Sequence, residues 1–536
     1  MDFIYFLFYI LILLWLVHIS QRIFYCFYFW QLKEYRISRI KGDPIRSRNV
    51  FFPKTLFLIL IILLFPPEFL DYSLWGSAVA AAFYLFGIYS ISLLIRKKWR
   101  FPKLTKKSVF LLSLGFASLF FSLFVFNRYF LIFIAVMEII LPFLTFLIME
   151  LVQVPTNLWK RLIYMKARKK IEMQKELIVV GITGSYGKSS TKEFLYTILS
   201  RRYNVLKTSG NINTEIGVAQ TVINHLKPEH QVFIVEMGAY RKGEVKLLCD
   251  IVKPKIGVVT GVNQQHLALF GSMDNLLSAE GGRELSEALP KSGLLVLNGD
   301  NKYCLDLYRK ANLQPGARKI IYSAKGDRVD SDVWTEDVSI HKEFVSFLAL
   351  DKDKNAVHFR VNVLGGQNIQ NILAAILVAR ELGMSFEEIA EACKDIKQDQ
   401  ASMALKKGNH GISVIDSSYS ANPDGVLADL DYLNIFPGKK VIVMPCLIEL
   451  GKESGRLHEK IGRRIGEVCD IAIITSKDNF NDIQKGVVEA GKKPESIVLC
   501  DRADDIYSIL TLSCKSGDAV LLEGRVPGRL LKLLID

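Results

Sequence analysis

Five long apolar runs, at positions 3–17, 56–70, 74–95, 109–126 and 130–152, fill most of the first 152 residues and constrain the fold more than anything that follows them. A helix of roughly 18 or more apolar residues can cross a bilayer, and it satisfies its backbone polar groups internally, as hydrocarbon requires. The last three runs reach that length, whereas the first is shorter and Pro66-Pro67-Glu68 interrupts the second. The expectation is an α-helical transmembrane region over residues 1–152, with about five helices.

Lys and Arg gather at 22–54, 96–107 and 160–175, while the turns near Asp71 and Asn127 carry little charge. Basic loops stay on the cytoplasmic side, so the pattern predicts a multi-pass inner-membrane protein of a bacterium. Its amino terminus lies outside and everything after residue 152 is cytoplasmic. Residues 3–17 lack a basic leader and a small-residue cleavage site, which argues against a cleaved signal. Much of the net charge of +14 lies in these loops, where it suits anionic lipid headgroups rather than nucleic acid. Trp15, Trp30 and Trp75 read as interfacial anchors. Glu138, inside the last run, reads either as a neutral hydrogen-bonded acid or as part of a lipid-binding cavity. Eight cysteines without a C-x-x-C pair or a Cys/His cluster exclude a disulfide framework and a structural zinc site.

From residue 177 the texture changes. LIVVGIT, VFIVEMG, IGVVTGVN and LLVLNGD alternate with helical patterns, the signature of a parallel sheet covered by helices. Residues 334–363 alternate polar and apolar around DKDKN and predict an antiparallel hairpin or meander, followed by an amphipathic helix over 369–382. After a polar link near 394–401, a second α/β series begins with ISVID, KKVIVMPC, DIAIITS, SIVLC and DAVLLEG. The expected order is a basic linker at 153–171, a central α/β P-loop domain at 172–399 and a carboxy-terminal α/β Rossmann-like domain at 400–536.

Within the first series, GITGSYGKSSTKE (181–193) carries the chemistry. A strand entering this loop and leaving as a helix turns backbone N–H groups and a helix amino terminus toward an anion. Lys188 adds a point charge, and the Ser189 hydroxyl can ligate Mg²⁺. The spacing departs from the common P-loop, since Ile182 stands five before Gly187 and the glycines fall at 181 and 184.

TGSYGKSS resembles the ATP loop of the Mur ligases, which join an amino acid or peptide to a carboxylate by way of an acyl phosphate. TSGNINTEIGVAQT, VEMGAYRKGEV, NQQHLALFGS, LGGQNIQNILAA, IDSSYSANPDGV and IELGKESGRLHEKIG follow in order. Together they resemble the D-alanyl-D-alanine-adding branch of that family over about 360 residues. The resemblance implies an ATP site at Thr183, Gly184, Ser185, Gly187, Lys188, Ser189 and Ser190, with further contacts from Asn263, Asn368 and Asp416. It implies Mg²⁺ on Ser189, Glu236 and His266, and a catalytic set of Lys188, Glu236, His266 and Glu280. Asn211, Asn213, Thr214, Tyr419 and Asn422 then line the substrate channel. The implied partners are a muropeptide-type carboxylate and a D-amino acid or D-dipeptide. Phosphoryl transfer to a carboxylate crowds negative charge, so it needs a lysine and hard-oxygen metal ligands rather than a covalent nucleophile. Taken alone, Glu236 reads as a solvated strand-end acid and His266 as a surface histidine; the order of the motifs makes both functional.

Several positions depart from the family pattern. A carbamylated lysine is expected after Phe270-Gly271-Ser272; counting forward puts Glu280 there, counting back from Glu284-Leu285 puts Gly282, and the carboxylate chemistry favours Glu280. Gln367 stands for a histidine, Ser417 for an acid and Glu523 for a lysine, and the arginine expected upstream of Asp416 is missing from DQASMALKKG. Soluble members grip a uridine nucleotide with an amino-terminal domain, for which residues 155–178 leave no room. The acceptor is then either a nucleotide-linked muropeptide or one carried on a membrane lipid. A noncatalytic nucleotide-binding membrane scaffold is the alternative from another class. An ATP-driven transporter is disfavoured because no ABC-type signature is present.

Overall fold

The computed structural model describes residues 2–32, 72–125, 130–326, 330–400, 403–419 and 421–535. They divide into two compact units, Met1–Arg161 and Leu162–Asp536.

The first unit is helical: α1 (Asp2–Leu32), α2 (Tyr72–Ile95), α3 (Lys106–Val125) and the beginning of α4 (Phe130–Glu172). By length and composition, two stretches can cross a membrane, Tyr9–Leu32 and Ile139–Glu172, and Ala80–Ile95 is a shorter apolar helix. Five spans are therefore not reached among the described residues. The run at 56–70 and the side chains of Glu138 and Trp75 lie outside them. Trp15 and Trp30 correct the interfacial expectation, for both are fully buried. Trp15 packs with Leu11, Ile19 and Phe83, and Trp30 meets Phe29 edge-on at 6.0 Å. A large ring gains more from such enclosure than from a half-wet position. The expected linker at 153–171 is helical, the closing part of α4.

In the second unit, Ala167 and Ile171 of α4 bury against Val179 and Phe233. The central sheet has nine described strands: β1 (Ile178–Thr183), β2 (Val205–Lys207), β3 (Val232–Glu236), β4 (Ile256–Val259), β5 (Leu294–Asn298), β6 (Arg318–Ser323), β7 (Val333–Ile340), β8 (Val345–Asp351) and β9 (Ala356–Val361). Their order is β2-β3-β1-β4-β5-β6-β7-β8-β9. Strands β1, β3, β4 and β5 are apolar almost throughout because helices cover both faces. The meander expected at 334–363 is present as β7–β9, and β7 joins β6 in parallel, so it extends the sheet rather than forming a separate one.

The helices that matter for the site are α5 (Lys188–Leu199), α6 (Glu215–His225), α7 (Leu267–Phe270), α8 (Gln367–Glu381) and α9 (Phe386–Cys393). Ser385 starts α9 with a capping box closed by Glu388, a pairing written in the sequence SFEE. After α9 come β10 (Ala404–Lys407), β11 (Ser413–Ser417), α10 (Pro423–Leu433), β12 (Lys440–Met444), α11 (Ser454–Val468), β13 (Ile471–Ile474), β14 (Ile497–Leu499) and β15 (Ala519–Glu523). These strands make a second sheet in the order β10-β11-β15-β12-β13-β14, parallel except for β10.

In both sheets the carboxyl ends of the parallel strands deliver the polar residues, as expected for α/β folds. The meander is held by Phe347 and Phe359, which face each other across β8 and β9 with rings 5.3 Å apart and nearly parallel. Phe386 of α9 meets Phe359 edge-on at 6.2 Å. Phe359→Ala should therefore cost about 3–5 kcal/mol. Chemical denaturation of the full chain with hydrogen exchange as readout checks this, with protection lost first in β7–β9.

Candidate active site

Thr183 ends β1 and Glu236 ends β3, and the two strands pair in register with Ile182 opposite Glu236. The chain leaves β1 through the glycine loop and enters α5 at Lys188. Gly187 precedes that helix with φ 77°, and a Cβ there would come within 2.4 Å of Asn371 Oδ1, so only glycine fits. No side chain caps the helix. Its first N–H groups are thus left for an anion. Lys188 Nζ donates to the Gly184 carbonyl at 2.5 Å, folded back over the loop. Thr183 is fully buried and its Oγ1 has no hydrogen-bond partner, a polar atom that a bound ligand would satisfy.

Glu236 gathers two of the predicted residues, Ser189 and Asn213, around it. Ser189 Oγ donates to its Oε2 at 2.9 Å, Asn213 Nδ2 to its Oε1 at 3.1 Å, and Thr208 Oγ1 accepts its backbone N–H. Lys192, which the sequence reading passed over, is fully buried and donates both to Glu236 Oε2 at 3.0 Å and to the Gly210 carbonyl at 2.5 Å. Its signal was the i, i+4 spacing from Lys188, which turns the two lysines toward one side of α5. Thr214 precedes α6 without a side-chain cap.

Glu280 and His266 form a second group. Ser185 Oγ donates to Glu280 Oε2 at 2.8 Å, and Glu280 Oε1 lies 3.1 Å from His266 Nδ1. Glu280 therefore stands beside the loop and the histidine, whereas Gly282 has no side chain to bring and serves as the left-handed start of the next helix. Among the described residues no three His, Cys, Asp or Glu side chains gather around a common metal position. Ser189 with Glu236, and His266 with Glu280, are two separate pairs. Mg²⁺ asks for one or two carboxylates and completes its shell with water and phosphate, so the Ser189–Glu236 pair fits it.

The carboxy-terminal sheet closes the other side of the site. A cavity of about 970 Å³ runs between Ser189, Ser190 and Asn211 on one side and Asp416, Ser418 and Tyr419 on the other. Burial would raise the Asp416 pKa, but hydrogen bonds from Lys406 at 2.7 Å and from Ser418 outweigh it and hold the carboxyl below its usual range. Lys406, within the stretch DQASMALKKG, is thus the cation beside Asp416. Tyr419 is raised by burial and by the nearby charge of Glu236. Asn263 Nδ2 donates to Asn422 Oδ1 at 2.8 Å and to Asp424 Oδ2 at 3.1 Å, joining a predicted nucleotide contact to a predicted substrate contact. Asn368 is buried and reaches the loop only through Asn371, whose Nδ2 donates to its Oδ1 at 3.1 Å.

The departures at 367, 417 and 523 meet in one buried cluster. Gln367 Nε2 and Ser417 Oγ donate to the two oxygens of Asp429 at 2.7 and 2.5 Å, and Ser417 is the register partner of Glu523. Burial raises the Asp429 carboxyl pKa; burial and then the Asp429 charge push Glu523 well above its usual value. Such a pair holds its proton more tightly when folded than when unfolded. Its contribution to stability is therefore complete below the unfolded carboxyl value, about 4, and is lost as pH climbs from there through the raised folded value. Thermal unfolding of wild type should decline more steeply than that of Glu523→Gln as pH rises above 5, and coincident pH profiles would refute the shared proton.

Residues 182–379 match the profile of the Mur ligase middle domain, and residues 403–526 match that of the Mur ligase, glutamate ligase domain. The chain is 31% identical over 369 residues to the UDP-N-acetylmuramoyl-tripeptide--D-alanyl-D-alanine ligase of Mycobacterium tuberculosis strain CDC 1551, covering 65% of this chain and 70% of that protein. It is 32% identical over 295 residues to the protein of the same name from Synechocystis, covering 54% of this chain and 59% of that one. Among solved structures, MurF from Thermotoga maritima in complex with ADP superposes with a TM-score of 0.57 at 25% identity, over 70% of this chain and 83% of that one. A MurF from Acinetobacter baumannii shares the fold with a TM-score of 0.62 at 23% identity, over 70% of this chain and 80% of that one. With both of its α/β domains matched in order, the chain belongs to the Mur ligase family.

Proposed function

We propose that the chain is an ATP- and Mg²⁺-dependent amide ligase of peptidoglycan-precursor synthesis. By analogy with its named relatives, it adds D-alanyl-D-alanine to the terminal carboxylate of a UDP-N-acetylmuramoyl tripeptide. The observation that carries this reading is the uncapped start of α5 set against the Ser189–Glu236 pair. The loop N–H groups and Lys188 hold the triphosphate. The acceptor carboxylate attacks the γ-phosphorus, the P–O bond to ADP breaks, and the resulting acyl phosphate is opened by the amine with loss of phosphate. Magnesium on Ser189 and Glu236 would neutralise charge on the phosphoryl oxygens. Glu280 supplies a permanent carboxylate beside His266, where the wider family uses a carbamylated lysine. Asp416 meets the ribose, Asn263 and Asn368 complete the nucleotide side, and Asn211, Asn213, Thr214, Tyr419 and Asn422 guide the acceptor.

The two long apolar helices support attachment to a bacterial inner membrane, with the ligase domains on the cytoplasmic face. Alkaline carbonate washing of isolated membranes checks this: the chain should remain in the pellet, and release into the supernatant would count against a span. For the chemistry, ADP release should require both the tripeptide and D-alanyl-D-alanine. Lys188→Ala should lower kcat by at least about a hundredfold, the scale seen when one preorganised electrostatic donor is removed. ADP release that ignores the amine would point instead to a nucleotide-hydrolysing scaffold.

A further inference from the structure

His266 stands between two carboxylates that come from different domains, one from the turn before Arg283 and one from the segment after β12. Glu280, on the central domain, faces Nδ1 at 3.1 Å, while Glu449, from the segment after β12, places Oε2 3.6 Å from Nε2. The backbones meet as well, since the Ala268 N–H donates to the Glu449 carbonyl at 3.0 Å. Tyr240 borders the imidazole, with ring centroids 5.8 Å apart. His266 and Glu449 both hold left-handed backbones, with φ 65° and 69°. Non-glycine residues persist in that region only where surrounding contacts outweigh the strain, and such residues cluster at functional sites. Here the outweighing contacts include those each residue makes with the other.

We propose that Glu449 is a positioning residue for His266, delivered by the carboxy-terminal domain, so that the imidazole takes its working orientation only when that domain is seated on the turn at 266–270. The consequence for catalysis rests on the ligase reading above. The distance of 3.6 Å lies just beyond hydrogen-bond range, and catalytic contacts that are long in a ligand-free enzyme shorten in the productive complex. Glu280 fixes one nitrogen permanently, because it is buried on the same domain; Glu449 fixes the other conditionally. A two-sided clamp of this kind removes ring rotation, and it makes the geometry of His266 a report on closure.

The test uses the full chain carrying Glu449→Ala, Glu449→Gln or Glu449→Asp, all of which keep the backbone carbonyl that Ala268 uses. In hydrogen exchange without substrate, amides 266–270 of Glu449→Ala should exchange at least about fivefold faster, with β1 and α5 unchanged. In turnover, kcat should fall at least about tenfold while the KM for ATP stays within about twofold, and Glu449→Asp should recover part of the loss. Unchanged exchange at 266–270 overturns the proposal whether or not the chain proves to be a ligase. A KM for ATP that rises while kcat holds overturns it too, because that pattern belongs to nucleotide binding. Wild-type protein that binds ATP but never couples it to an amine would sink the ligase reading alone, and the exchange experiment would still decide the role of Glu449.

Discussion

The site is organised around a buried ion pair, Lys192 with Glu236, set beneath the phosphate loop. Burying two charges is costly, and taking one away leaves the other uncompensated, a loss of about 3–5 kcal/mol in comparable pairs. The lysine also holds the Gly210 carbonyl. One cation therefore ties α5 to the end of β3 and to the loop that carries Asn211 and Asn213. The pairing of β1 with β3 sets the distance, and the ion pair sets the direction in which Glu236 points. Catalysis by charge stabilisation depends on groups being in place before the reaction starts, and this arrangement places them without a ligand.

The parts legible in the sequence were those in which local pattern and tertiary role coincide. The loop, the parallel strands and the meander all announce themselves through composition and period, and Glu280 could be chosen over Gly282 on side-chain chemistry. Lys192 was harder to read, because its i, i+4 spacing from Lys188 places it on the loop side of α5 but a lysine in a helix ordinarily reads as solvated, and only the packing of α5 against β3 encloses it. Lys406 and Asp429 were missed for a related reason. Each acquires meaning from a partner on another element, Asp416 for Lys406 and the pair Gln367 and Ser417 for Asp429, and no periodicity records that. Trp15 and Trp30 differ in kind: a ring at a water boundary and a ring enclosed by helices look alike in sequence, and these two are enclosed.

The altered positions restore only part of the polar balance, since Gln367 Oε1 and Glu523 Oε2 stay buried without a hydrogen-bond partner. Gln367, Ser417 and Glu523 each remove a group expected there, yet Asp429 accepts from the first two and shares burial with the third. In a low-dielectric interior an unpaired polar group is expensive, so those two atoms carry a cost that the hydrogen bonds to Asp429 offset in part. At Asp416 a lysine on the neighbouring strand supplies an ion-pair partner.

The opening turns of α8 make that interdependence geometric. Gln367 bonds outward to Asp429, Gln370 to Asp300 and Asn298, and Asn371 to Thr191 behind the phosphate loop. With three directions occupied, these turns cannot rotate or slide toward one neighbour without breaking with another. Residues 367, 417, 429 and 523 accordingly form a single exchangeable unit. A change at any one of the four therefore alters the surroundings of the other three, and exchanging them together disturbs these turns less than exchanging one alone.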